Sequence, residues 1–184
     1  MLIEKLKEFP SQKNLYILAI FGFLLVLLVE IFVFIPIESE VPTYGILDYE
    51  FAWTSNNVFT IFSAWGANGL NLQVIAIYWD FLFIIGYVSL AFSLVVLTYR
   101  KSEGQIHSFG TYITITPLLT GIFDVIENIL LLTMASNISS VTGSSPVIAS
   151  LSASIKFGLL FVGIIYFAVA SIVILIKKLS KRKE

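Results

Sequence analysis

Four stretches of this chain, about 15–37, 72–98, 109–134 and 150–176, run almost without charge, and the polar residues gather in the segments between them. About 20 consecutive apolar residues let a helix cross a hydrocarbon core roughly 30 Å thick, so each stretch predicts a membrane-spanning helix. The connectors differ in kind. YRKSEGQIH and ASNISSVTGSSP are short polar links, whereas the segment 38–71 holds Tyr44, Tyr49, Phe51, Trp53, Phe59, Phe62 and Trp65 and is too aromatic for a solvated loop. Within it, TSNNVFTIFSAWG predicts a short helix, capped by Thr54 or Ser55 and ended by Gly66, with Val58, Ile61, Phe62 and Trp65 on one face. Such an element belongs at a bilayer surface or as a roof on the bundle, where Trp53, Phe59, Phe62 and Trp65 form either an aromatic belt or a lid. The expected fold is all-α: a polytopic four-transmembrane-helix bundle, one membrane domain over 1–184, with a long aromatic outer loop containing a short interfacial helix.

Composition supports this reading. The chain has 184 residues, 58% hydrophobic and 12% charged, with a mean hydropathy of +0.94, outside the range of soluble domains. The first apolar run follows Lys5, Lys7 and Lys13 as the core of a signal peptide would. It is too long for that role and precedes no small-residue cleavage pattern, so a retained helix is expected. Of the 11 Lys and Arg residues, all but Lys156 fall in the N-terminal segment, the link with Arg100 and Lys101, or the tail 177–183. The positive-inside rule makes these three places cytoplasmic, both termini included. The segment 38–71, with Glu38, Glu40, Asp48 and Glu50 but no Lys or Arg, then faces outward.

Against that background GIFDVIENILLL (121–132) is unusual. An acid at the centre of a membrane helix costs about 2.5–3.5 kcal/mol on insertion scales, and so should face the bundle interior or water, with a partner. Asp124, Glu127 and Asn128 are spaced i, i+3 and i+4 and share one face, which Gly121 and Pro117 extend. At 1.5 Å per residue, Glu30, Asp80, Asp124, Glu127 and Lys156 all fall roughly 9–15 Å below the outer helix ends, in one layer. Fully ionised, that layer holds four acids against one base, so some acids should keep a proton or a cation should be present. Lys156 is expected to pair with Asp124 or Asp80. Tyr78, Trp79, Tyr87, Asn128, Ser154 and Tyr166 are expected to supply hydrogen bonds or aromatic walls. The bland alternative is a buried polar network that only holds the helices in register.

The residue inventory narrows the chemistry. There is no Cys, which excludes disulfides and thiolate metal sites, and the single His, His107, sits in a cytoplasmic link. No Ser or Cys nucleophile has a His base and no glycine-rich phosphate loop is present. No metal, cofactor or nucleic-acid partner is expected.

The layout of four helices with both ends inside, a long aromatic outer loop, carboxylates in the outer half and a basic tail resembles the EXPERA membrane proteins, which include the emopamil-binding sterol isomerases and the sigma-2 receptor. In IYWDFLFIIGY, Asp80 lies where that family tends to carry an acid early in helix 2. The resemblance implies a pocket for an amphiphile. Three readings follow: a pocket binding a lipid-like or cationic amphiphile, with or without acid/base chemistry on it; a proton- or cation-coupled small transporter; and a membrane assembly protein whose polar layer is structural. Membrane lipids are expected partners, and a homodimer is left open.

Overall fold

The computed structural model describes residues 6–41 and 43–181, and every regular element among them is helical. Lys5, Arg182 and Lys183, part of the charge pattern above, lie outside the described residues. In chain order the elements are α1 (Gln12–Glu40), the short α2 (Ile46–Glu50), α3 (Ser55–Lys101), α4 (Gly104–Ile113), α5 (Thr116–Ser136) and α6 (Ser145–Ser180). Four spans, namely α1, α3, α4 with α5, and α6, are long and apolar enough to cross a membrane by length and composition. The bundle is built as α5 against α6, with α3 packed on both and α1 laid on α3.

Local chemistry sets the breaks. Ser11 caps α1, its hydroxyl accepting from the Asn14 amide at 3.3 Å. α1 widens into a π-helical turn over Glu30–Phe34, just before Pro36. A proline withholds one N–H and crowds the carbonyl four residues back, and the wider turn accommodates both, so α1 runs on to Glu40 instead of ending near residue 37. The same rule divides the third span. The ring of Pro117 would meet the carbonyl of Ile113, where α4 ends, and α5 begins at Thr116. In α3, Thr54 accepts from the Asn57 amide at 3.2 Å, and helical backbone is interrupted at Gly66, whose φ of 61° and ψ of −173° suit only glycine.

Apolar side chains cover the outside: Phe23, Leu24, Phe32, Phe161, Ile165 and Ile172 are all at least half exposed. Such a surface is far larger than a soluble monomer tolerates and is compatible with a multi-pass membrane protein. The carboxylates of α5 point inward instead.

α1 meets α3 at a crossing of two glycines. A Cβ on Gly22 would collide with the Gly86 carbonyl oxygen and lie 2.7 Å from the Leu90 nitrogen, so the backbones touch there. Gly22→Ala should therefore push α1 off α3 and cost about 1–3 kcal/mol. Gly158→Ala, at an open position on α6, should be neutral or slightly stabilising. Thermal unfolding of the two solubilised variants checks the contrast.

Candidate functional site

The aromatic segment before α3 is packed, and its packing delivers an acid to the bundle. The Tyr49 hydroxyl donates to the Leu131 carbonyl of α5 at 2.8 Å, and Trp65 Nε1 donates to the Tyr44 carbonyl at 2.8 Å. The rings of Tyr49, Phe62 and Trp65 lie edge-on or stacked within 5.1–6.0 Å of one another. Trp53 takes a positive φ of 58°, a strained choice for a bulky residue. It is held there by its own amide on Ser150 Oγ at 3.0 Å and by a tight Thr54 amide to Ala52 carbonyl bond at 2.6 Å. This turn, with α2 anchored by Tyr49, places Glu50 inside the helices, 7% exposed.

Glu50 there meets Lys156. The ammonium donates to Asp124 Oδ1 at 2.9 Å and lies 2.9 Å from Glu127 Oε2 and 3.3 Å from Glu50 Oε2. The contacts to the two glutamates are ion pairs outside hydrogen-bonding direction, so Glu50 Oε2 and both Glu127 oxygens have no hydrogen-bond partner. Glu127 is fully buried. Tyr87 donates to the other Asp124 oxygen at 2.6 Å, and Asn128 Nδ2 donates to Asp80 Oδ2 at 2.6 Å. Phe51 and Phe157 stack at 5.7 Å, and the lysine Nζ lies 5.0 Å from the Phe157 ring centre.

One ammonium thus stands among three carboxylates. Buried charge of one sign is costly unless a proton or a cationic guest restores balance. Beside the cluster a cavity of about 80 Å³ is lined by Glu30, Glu50, Asp80, Gln73 and Asn128 together with Phe34, Ile37 and Ile77, and Glu38 stands at its exposed rim. The π-helical turn of α1 contributes Glu30 and Phe34 to its wall. At roughly 30 Å³ per water, the space suits two or three waters or one small polar head group, not a whole lipid.

Comparison of the chain with protein-family models, with curated proteins and with solved structures finds no match. The geometry therefore stands on its own.

The structure brings together most of the residues the sequence singles out, and separates others. Asp124, Glu127, Lys156 and Tyr87 form one connected network, Asp80 and Asn128 form a separate hydrogen-bonded pair, and that pair and Glu30 line the adjoining cavity. Lys156 pairs with Asp124, while Asp80 is bonded to Asn128 instead. Tyr78 and Trp79 are 61% and 40% exposed and face away, because they lie about 200° and 100° around the helix from Asp80. Tyr166 is some 15 Å further along α6 than Lys156. It sits 3.4 Å from Ser102 Oγ near the opposite end of the bundle. Ser154 turns back on the Ser150 carbonyl. Of the aromatic quartet before and within α3, Phe62 and Trp65 pack on Tyr49, whereas Trp53 and Phe59 are 41% and 38% exposed. The residue that sequence reasoning missed is Glu50, read only as one more acid of the outer segment. Its neighbours Tyr49, Phe51 and Ala52 were the available sign that it is not solvated.

Lys156→Met removes the cation of this cluster and should cost about 3–5 kcal/mol, since three carboxylates remain around an apolar side chain. Asp124→Asn keeps an acceptor for Tyr87 and leaves two carboxylates for the lysine, so its loss should be clearly smaller. Parallel thermal unfolding at neutral pH measures the difference. Equal losses would remove Lys156 from its organising place.

Proposed function

We propose that this is an integral membrane protein, with both termini on the cytoplasmic side, whose acidic cavity receives the cationic end of a lipid-like amphiphile. The observation that carries the reading is the acid excess: three carboxylates, Glu50 among them, share the single ammonium of Lys156, and Glu50 and Asp80 both line the cavity. An ammonium head group would supply the missing charge and donate to the cavity-lining acids. The size of the cavity leaves the tail outside, along Phe34 and Ile37 of α1, where a membrane would solvate it. In this reading the segment from α2 to Trp65 is an outer cap that holds Glu50 in place. The resemblance to the EXPERA proteins adds support for an amphiphile as the ligand.

A transport role is less well supported. The polar network ends at Tyr87, beyond which the space between α3, α5 and α6 is lined by Leu90, Leu94, Val95, Leu160 and Phe167. The hydroxyls of Ser93, Thr116 and Thr120 in that region are spent on carbonyls three or four residues back in the chain. An ion leaving the cluster toward the other end would meet a mostly hydrocarbon lining with a few hydroxyl oxygens whose protons are already committed.

Dodecylamine, compared with dodecanol of the same length, is the test. The amine should stabilise the solubilised protein against heat, and the alcohol should not. Asp80→Asn and Glu50→Gln should each weaken the amine's effect by about tenfold, as loss of one charge-assisted contact predicts. Equal stabilisation by amine and alcohol would mean that the acids do not recognise a cation.

A further inference from the structure

The opposite end of the bundle carries a second binding geometry. Lys101, Lys177, Lys178 and Lys181 surround a cleft of about 220 Å³ between the α3–α4 turn and the last turns of α6. Glu103 is the one carboxylate lining it among the described residues. It pairs with Lys177 at 3.1 Å, and that contact, with Lys181 nearby, holds its carboxyl below the usual range. Four ammonium groups against one carboxylate leave the cleft strongly positive, a setting for a phosphate oxyanion. Its floor is apolar, made by Ile106, Ala170, Val173 and Ile174.

Ile106 and Ala170 also belong to a second groove, of about 420 Å³, between α4 and α6. This groove runs past Phe109 and Val169 to Ile113 and Val162, and its lining is nearly all hydrocarbon. The nine residues from Val162 to Ala170, eight rises of 1.5 Å, extend it about 12 Å along α6, the length of a good part of an acyl chain. A free phosphate would use the lysines and leave the groove unexplained. A neutral lipid would use the groove and leave the lysines unexplained. We infer that the two form one site for an anionic phospholipid, with its phosphate among the lysines and one acyl chain between α4 and α6. The inference rests on the membrane reading above but not on the acidic cavity at the other end. The placement agrees with the positive-inside expectation, because the cytoplasmic leaflet is the one rich in anionic lipid.

The test uses the full chain in neutral detergent at fixed ionic strength, with native mass spectrometry counting retained lipid. The probes are phosphatidylglycerol, phosphatidylcholine with the same acyl chains, and inorganic phosphate. Phosphatidylglycerol should be retained at least tenfold more tightly than phosphatidylcholine, and phosphate should neither bind nor displace it. Lys178→Gln with Lys181→Gln, which leaves the Lys177–Glu103 pair intact, should weaken phosphatidylglycerol on the order of tenfold and leave phosphatidylcholine unchanged. Glu103→Gln, an exposed change that frees Lys177, should tighten it. Val169→Trp, which fills the groove, should weaken it without touching a charge. Equal retention of the two lipids would overturn the site. So would displacement by phosphate alone, which would reduce the cleft to a free-anion site, or phosphatidylglycerol binding indifferent to the lysine pair and to Glu103→Gln. None of these readouts depends on amine binding, so either reading can fail alone.

Discussion

A single ammonium group, Lys156, sits buried inside the bundle, and four parts of the chain are arranged around that fact. α6 supplies the lysine, α5 supplies Asp124 and Glu127, the segment before α3 supplies Glu50, and α3 supplies Tyr87 to orient Asp124. None of these groups is tolerable there alone, since an unpaired buried charge costs several kcal/mol. The contacts are therefore mutually dependent. Moving α2 outward would strip the lysine of one partner, and sliding α6 by a turn would strand three acids. Such a cluster contributes less to raw stability than to a unique register, because apolar side chains alone pack in many registers.

The aromatic packing before and within α3 follows from the same need. Through hydrogen bonds to backbone carbonyls, Tyr49 ties α2 to α5, and Trp65 ties the first half of α3 to Tyr44 just before α2. Those anchors hold Glu50 in the bundle against the pull of solvent on a carboxylate. The strained backbone at Trp53 belongs to this arrangement, because it lies between α2 and α3 and bonds its amide to Ser150 of α6 just before α3 begins.

α1 stands apart from this economy of charge. It is held on α3 by the Gly22–Gly86 crossing and by apolar contact, and no ion pair joins it to the other spans among the described residues. Yet its π-helical turn makes one wall of the acidic cavity.

Local patterns along the chain suffice for the helices, several of their ends, and the chemistry that had to be buried. Apolar runs of spanning length, Thr54 and Gly66 at the limits of one helical segment, and the i, i+3, i+4 spacing of Asp124, Glu127 and Asn128 are local patterns, and local backbone geometry enforces them. The excess of acids over Lys156 was likewise legible, because depth along a helix follows from residue number. Rotation and partner choice were not. α3 is apolar on every side, so nothing in its period fixes which face carries Asp80 and Tyr87 inward and turns Tyr78 and Trp79 out. Only packing against α5 decides that. The pairing of Lys156 with Asp124 in place of Asp80, and the arrival of Glu50 from outside the helices, depend on the path of a connecting segment. That path is chosen by contacts between residues some 80 to 100 positions apart, Tyr49 with Leu131 and Trp53 with Ser150. Contacts of that range leave no periodic trace in the sequence, and the tertiary structure alone settles them.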